Sequence, residues 1–288
     1  MDAMSRIDLT LEQALAGVLT DCPPKLSAAL RYAVFPGGAR LRPKLCLAVA
    51  WACGEDEPRV VDGAAAAIEL LHCASLVHDD LPCFDNADER RGKASVHKAF
   101  GEQLAVLSGD ALIVLAFEAL ATGAARAPHR LGALSTIVSR ATGAAGGICA
   151  GQAWECEPSV DVSRYHRAKT GALFSAATMA GAASCALPYE PWRALGELVG
   201  EAYQVADDIR DVAGNAQDLG KPIGQDEALM RPSACRELGL RGAIDKLNDL
   251  VERAVDSIPQ CPRVQELRGL VRQEALRFLP ADLAQAAA

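Results

Sequence analysis

Apolar positions recur at three- and four-residue intervals along almost the whole chain, and no convincing run alternates apolar and polar residues as a half-buried strand would. The pattern predicts helices over Leu9–Leu19, Lys25–Val34, Arg40–Ala52, Glu57–His78, Val96–Phe100, Leu104–Ala125, Leu131–Ala150, Tyr165–Ala183, Trp192–Val212, Arg241–Ile258 and Val264–Phe278. Pro23–Pro24 sets the start of the second helix, where a missing amide proton costs nothing. Phe35-Pro-Gly-Gly reads as a tight loop, Val212–Asp226 as a Gly-rich loop, and Ala281–Ala288 as a frayed tail.

Composition narrows the class. Half of the 288 residues are hydrophobic but only 5% are aromatic, and alanine is abundant, which suits closely packed helices better than a β-sandwich. A net charge of −8 argues against nucleic acid as a partner. The ten cysteines are scattered, with no CxxC, and read as reduced, small core residues; Cys73 and Cys83 are expected to pack. The opening MDAMSRIDLT lacks the basic and apolar regions of a signal peptide, so the expected location is the cytoplasm. The longest apolar stretch, Leu104–Leu120, is interrupted by Asp110 and Glu118 and is not expected to span a membrane.

Two acidic clusters change the picture. In His72–Gly92 an apolar helix runs out into Asp79, Asp80, Asp85, Asp88 and Glu89, followed by Arg90–Arg91: five acids and two arginines in 13 residues. Carboxylates this close repel unless a cation sits among them. An all-oxygen set favours a hard cation, and Mg²⁺ bridges a few carboxylates to phosphate. Arginine forks suit phosphate as well. Far downstream, AYQVADDIRD places Asp207, Asp208 and Asp211 on one face of a helix at three- and four-residue spacing, where bare like charges destabilise it. Two such helices facing each other would form an acidic, metal-binding mouth. With no repeat, low-complexity block or linker, the expected architecture is one all-α domain over residues 1–288, a helical bundle around a central cavity.

Six motifs in order carry a resemblance to a known family: GGARLRP (37–43), HDDLPCFDNADERRGK (78–93), SGDAL (108–112), HRAKTGALF (166–174), YQVADDIRD (203–211) and LGKPIGQD (219–226). Over nearly its whole length the chain resembles the trans, head-to-tail polyprenyl diphosphate synthases, with the isoprenoid synthase fold. It looks most like the short-chain geranylgeranyl diphosphate synthases of bacterial carotenoid pathways. The resemblance implies condensation of isopentenyl diphosphate with dimethylallyl, geranyl and farnesyl diphosphates, with Mg²⁺ as cofactor. A farnesyl diphosphate synthase is the alternative.

By resemblance, Asp79 and Asp85 hold Mg²⁺ against the allylic diphosphate, with Asp80 in support. Asp207 anchors a further Mg²⁺, with Asp208 and Asp211 nearby. Arg90, Lys169 and Lys221 contact the allylic diphosphate; Thr170 and Gln204 turn oxygens towards the developing cation. Arg42, His72 and Arg91 match the isopentenyl diphosphate site. Ala74 and Ser75, small where farnesyl synthases tend to carry an aromatic residue, bear on chain length and imply a C20 product. A homodimer is implied too, with Leu104–Ala125 at its interface.

The chain departs from the family pattern in three places. Ala39 stands where lysine is usual, with Arg40 next door as possible compensation. Arg210 replaces an aliphatic residue, to face solvent or to neutralise Asp207. Gln225 stands where a second lysine is sometimes found. Three other readings compete. An HD-type phosphohydrolase would use His72, His78, Asp79 and His97 around a metal. A terpene cyclase would lack the Arg90–Arg91 pair, and a regulatory synthase subunit would carry decayed acidic motifs.

Overall fold

The computed structural model describes residues 2–159, 161–213 and 233–276. Lys221, Gln225, most of the Gly-rich loop and the tail lie outside these residues. The described chain is helical nearly throughout and falls into two compact units, Met1–Ser139 with Met179–Tyr189, and Arg140–Thr178 with Glu190–Ala288.

In the first unit, helix α1 (Ala3–Leu19) is capped by Asp2, whose carboxylate accepts from the amides of Met4 and Ser5 at 2.9 and 3.1 Å. Its buried stripe is Ile7, Leu11 and Leu15, one residue per turn. Helix α2 (Pro24–Val34) leads through a loop to α3 (Leu41–Cys53), which ends on Gly54 at φ 87° with its amide bonded to the carbonyls of Ala50 and Trp51. Helix α4 (Pro58–Asp79) is buried without a break from Gly63 to Leu71, the mark of a helix surrounded by others. A two-residue hairpin follows, β1 (Glu89–Arg90) and β2 (Lys93–Ala94), and then α5 (Val96–Phe100), α6 (Glu102–Gly123) and α7 (Leu131–Thr142).

Small residues let α4 and α6 touch backbone to backbone. A Cβ on Gly63 would lie 2.6 Å from the Ala119 carbonyl oxygen, and one on Gly123 would lie 2.6 Å from that of Arg59. These contacts fix the N-terminal half of α4 against the C-terminal end of α6.

The second unit contains α8 (Ile148–Ala153) and α9 (Val162–His166). A π-helical turn, Arg167–Gly171, runs from α9 into α10 (Ala172–Ala183). Then come α11 (Arg193–Ala213), α12 (Ala234–Asp256) and α13 (Val264–Leu276), with α12 packed along α11. Glycines grip the π turn from both sides. A Cβ on Gly151 of α8 would lie 2.5 Å from the Lys169 nitrogen, and one on Gly200 of α11 would lie 3.1 Å from the Gly171 Cα.

Several boundaries differ from those predicted. The helix expected over Leu131–Ala150 breaks between α7 and α8, at Gly143, Gly146 and Gly147, with Gly146 at φ 98°. The helix expected from Arg241 begins earlier, at Ala234, but is interrupted at Gly239 (φ 70°, ψ 167°). The helix expected over Tyr165–Ala183 holds the π turn. None of the ten cysteines is in a disulfide, yet only Cys46, Cys53, Cys73 and Cys235 are buried; Cys83 is exposed rather than packed, because it sits on the loop beyond α4.

Candidate active site

The first unit assembles its part of the site at the C-terminal end of α4. Asp79 is the last residue of that helix and Asp80 caps it. The chain then folds back tightly. The Asp85 amide donates to the Asp79 carbonyl at 3.0 Å and the Ala87 amide to that of Asp80 at 3.2 Å, with Asn86 left-handed at φ 47°. These bonds satisfy carbonyls that a helix end leaves open and bring Asp85 beside Asp79. Asp85 is exposed, Asp79 half-buried and Asp80 fully buried.

The hairpin returns cations to this acidic end. Arg91 and Gly92 form its two-residue turn at φ 54° and 71°, both positive as a type I′ turn requires. Arg90, on β1, donates through Nε to Asp80 Oδ1 at 2.9 Å, and its Nη2 stands 3.6 Å from Asp79 Oδ2. Burial pushes the Asp80 carboxyl above its ordinary range, the Arg90 hydrogen bond and charge pull against this, and the Asp79 charge adds to the push.

A second basic group lies behind it. Arg42 Nη1 meets His72 Nε2 at 3.3 Å. Burial, and then the charges of Arg42, Arg91, Arg90 and Arg40, hold the His72 imidazole well below its ordinary pKa. His72 is therefore neutral near pH 7, and its Nε2 accepts from Arg42. The Gly37–Gly38 pair is more than a turn. A Cβ on Gly38 would lie 2.8 Å from Arg91 Cζ, and one on Gly37 would lie 2.0 Å from Arg40 Cζ, so each glycine makes room for a guanidinium.

Arg40 does not compensate for Ala39. It is 3% exposed, left-handed at φ 52°, and bound by Nη1 to Glu69 Oε1 at 2.6 Å and by Nη2 to the Val34 carbonyl at 2.9 Å. Its charge belongs to a buried pair with α4, not to the surface where Ala39 is exposed. Elsewhere on α4, Ala74 is buried and the Ser75 hydroxyl donates to the His72 carbonyl at 2.8 Å. In SGDAL, Gly109 makes room for the His78 ring, and Asp110 lies 3.7 Å from His78 Nε2.

The second unit brings Thr170, Gln204, Asp207 and Asp208 together. Thr170 Oγ1 donates to Gln204 Oε1 at 3.4 Å, and Gln204 Nε2 donates to Asp208 Oδ1 at 3.2 Å. The other oxygen of Asp208 accepts from the Ala234 amide at 2.8 Å, at the start of α12. Both oxygens of this buried carboxylate thus accept from the protein. Arg210 Nη2 binds Asp207 Oδ1 at 2.9 Å, so of the two alternatives for Arg210 the pair with Asp207 is the one formed. Asp211 is buried, and its Oδ1 has no hydrogen-bond partner among the described residues. Lys169, on the π turn, is held by Glu155 at 2.6 Å, and the Tyr165 hydroxyl donates to the same carboxylate at 2.6 Å.

Sequence reasoning missed Glu155 and Glu69. Glu155 lies 14 residues from Lys169 with no local pattern to announce it. Glu69 did carry a signal, being one acid within the apolar run of α4. Among the described residues no three His, Cys, Asp or Glu side chains converge as a metal cage. Mg²⁺ needs no such cage, since it takes one or two carboxylates, keeps water and completes its shell with substrate phosphate.

A family model described as polyprenyl synthetase matches residues 23–266. The chain belongs to the polyprenyl synthetase family. It is a prenyltransferase. This polyprenyl synthetase is 54% identical over 280 residues to a geranylgeranyl diphosphate synthase of Cereibacter sphaeroides, covering 97% of each chain. It is 51% identical to one of Rhodobacter capsulatus with the same coverage. Among solved structures it is similar to a geranyltransferase from Legionella pneumophila, with TM-score 0.81 and 30% identity over 96% of this chain and 94% of that one. It is also similar to a Helicobacter pylori geranyltransferase complexed with magnesium and isoprenyl diphosphate, with TM-score 0.77 and 29% identity over 94% and 98%. The fold is that of these all-α enzymes. The phosphohydrolase reading falls with the family match; His72 pairs with Arg42 and His97 with Ser95 instead.

Proposed function

We propose that this polyprenyl synthetase condenses isopentenyl diphosphate with dimethylallyl, geranyl and farnesyl diphosphates, head to tail, and releases the C20 product geranylgeranyl diphosphate. The observation that carries the product assignment is identity above one half, over nearly the full length, to two proteins named for that product. A putative farnesyl diphosphate synthase structure from Marinomonas favours C15 instead, at 30% identity.

Residues 1–288 are read as one catalytic domain in which turnover needs both acidic motifs. Asp79 and Asp85, and on the other unit Asp207, are the residues that would hold Mg²⁺. The buried oxygen of Asp211, without a hydrogen-bond partner among the described residues, and the all-oxygen donor set fit that ion. When bound, Mg²⁺ supplies positive charge to the departing diphosphate.

The protein's own groups do the rest. Arg90, steadied by Asp80, presents a fixed cation beside Asp79 for the allylic diphosphate. Lys169 exchanges Glu155 for the same group, and Lys221 joins them. Arg42, His72 and Arg91 bind isopentenyl diphosphate without metal, the neutral His72 holding the Arg42 fork in place. Thr170 and Gln204 present oxygens to the allylic carbon as it gains positive charge.

The enzyme works as a homodimer in the cytoplasm, without spanning a membrane. Helix α6 is long and apolar enough to cross one, but its exposed face fits a second copy better. Val106, Leu107, Ile113, Val114 and Phe117 are all exposed along it, at spacings that line one side of the helix.

Turnover of Asp79→Ala and Asp207→Ala tests both motifs. Each should fall by several orders of magnitude, since one electrostatic contact to a transition state is worth ~3–4 kcal/mol and a cation is lost with it. Near-normal turnover in either variant would remove that cluster from the reaction.

A further inference from the structure

We infer that Arg210 is a built-in counter-cation of the second acidic cluster, one that holds Asp207 and weakens divalent-cation binding there until diphosphate arrives. The inference rests on the reading of Asp207 as a cation ligand. It concerns a residue in the middle of YQVADDIRD.

Arg210 is not a loose surface side chain. Its guanidinium lies 5.5 Å from the centre of the Tyr203 ring, and that ring lies 5.5 Å from the ring of Phe174, which is 1% exposed. Tyr203, Asp207 and Arg210 are four and then three residues apart on α11, so they share one face. One arm of the fork binds Asp207, while the buried Nε has no partner among the described residues. The cation is thus anchored through Tyr203 to the core of its unit and set one hydrogen bond from the carboxylate.

The neighbouring Asp208 accepts from Gln204 and from the Ala234 amide. Asp207 receives a full positive charge. An incoming dication must displace that contact or take the other carboxylate oxygen, and either way it sits close to a fixed like charge, where repulsion near a protein surface is large. Diphosphate reverses the balance, because its oxygens add ligands for the dication and its charge attracts the displaced guanidinium. The second cluster of this enzyme therefore takes its cation together with substrate rather than before it.

Calorimetric titration of the substrate-free, full-length protein with Mn²⁺ tests this, using wild type, Arg210→Leu, Arg210→Gln, and each with Asp207→Asn added. The expected result is a Mn²⁺ site that tightens on the order of tenfold in both Arg210 variants and disappears when Asp207→Asn is added. Affinity at that site unchanged or weaker in both Arg210 variants would overturn the inference while leaving Asp207 a cation ligand. A titration that Asp207→Asn leaves unaltered in every background would overturn the ligand reading of Asp207, and the inference with it.

Discussion

Arg40 and Ala39 are neighbours in sequence with opposite fates, one locked under Gly37 against Glu69 and the other exposed and uncharged. Two outcomes follow. Ala39→Lys should lower the Michaelis constant for isopentenyl diphosphate at least about tenfold, as one charged hydrogen bond of roughly 1.5–3 kcal/mol implies, and leave the allylic constant alone. Steady-state kinetics with each substrate varied reads this, and two unchanged constants would mean another cation already fills the place. Arg40→Leu should cost about 3–5 kcal/mol of stability, because Glu69 stays buried without its partner, and adding Glu69→Leu should recover much of it. Denaturant unfolding of the single and double variants checks the pair. His72 adds a pH term. Its folded pKa lies below the ordinary 6.5, so in that window the unfolded chain binds more protons and stability falls as pH drops below about 6.5. The slope is at most about 1.4 kcal/mol per pH unit, and His72→Gln should remove it from urea midpoints measured across that range.

The helices were largely legible because their apolar spacing is regular; α4 and α11 lie within one residue of the boundaries the pattern predicts. What periodicity could not give was the π turn at Arg167–Gly171, which puts one extra residue into a turn without altering composition, or strands only two residues long. The close approach of α4 and α6 was also invisible, since a glycine in an apolar run does not say what it faces. Gly63→Ala should cost about 1–3 kcal/mol through the clash with the Ala119 carbonyl. Gly132→Ala, on α7 with nothing within 4 Å, should be neutral or slightly stabilising. Thermal unfolding compares the two. Ala74, buried on α4, tests chain length in the same way. If it borders the growing chain, Ala74→Tyr shifts the product from C20 to C15 with the melting temperature kept. If it lies in a packing seam, the melting temperature falls and the product stays C20.

For the molecule as a whole, the acidic motifs and the basic residues around them could be read as chemistry before any coordinates, because clustered like charges demand a counter-ion. The internal partners could not: Glu155 for Lys169, Glu69 for Arg40 and the Ala234 amide for Asp208 are all joined by folding across many residues. The exposed face of α6 makes a claim at the same scale. Val114→Glu, at a position 67% exposed, should convert a dimer to a monomer by analytical ultracentrifugation, and an unchanged sedimentation coefficient would place any interface elsewhere. The most direct test of the account is the product itself. The purified protein is incubated with Mg²⁺, isopentenyl diphosphate and dimethylallyl diphosphate, and the dephosphorylated products are separated by chromatography. The account predicts that geranylgeraniol, the C20 alcohol, accumulates, and that farnesyl diphosphate supplied in place of dimethylallyl diphosphate is extended once. Products that stop at C15, or no condensation at all, would contradict it.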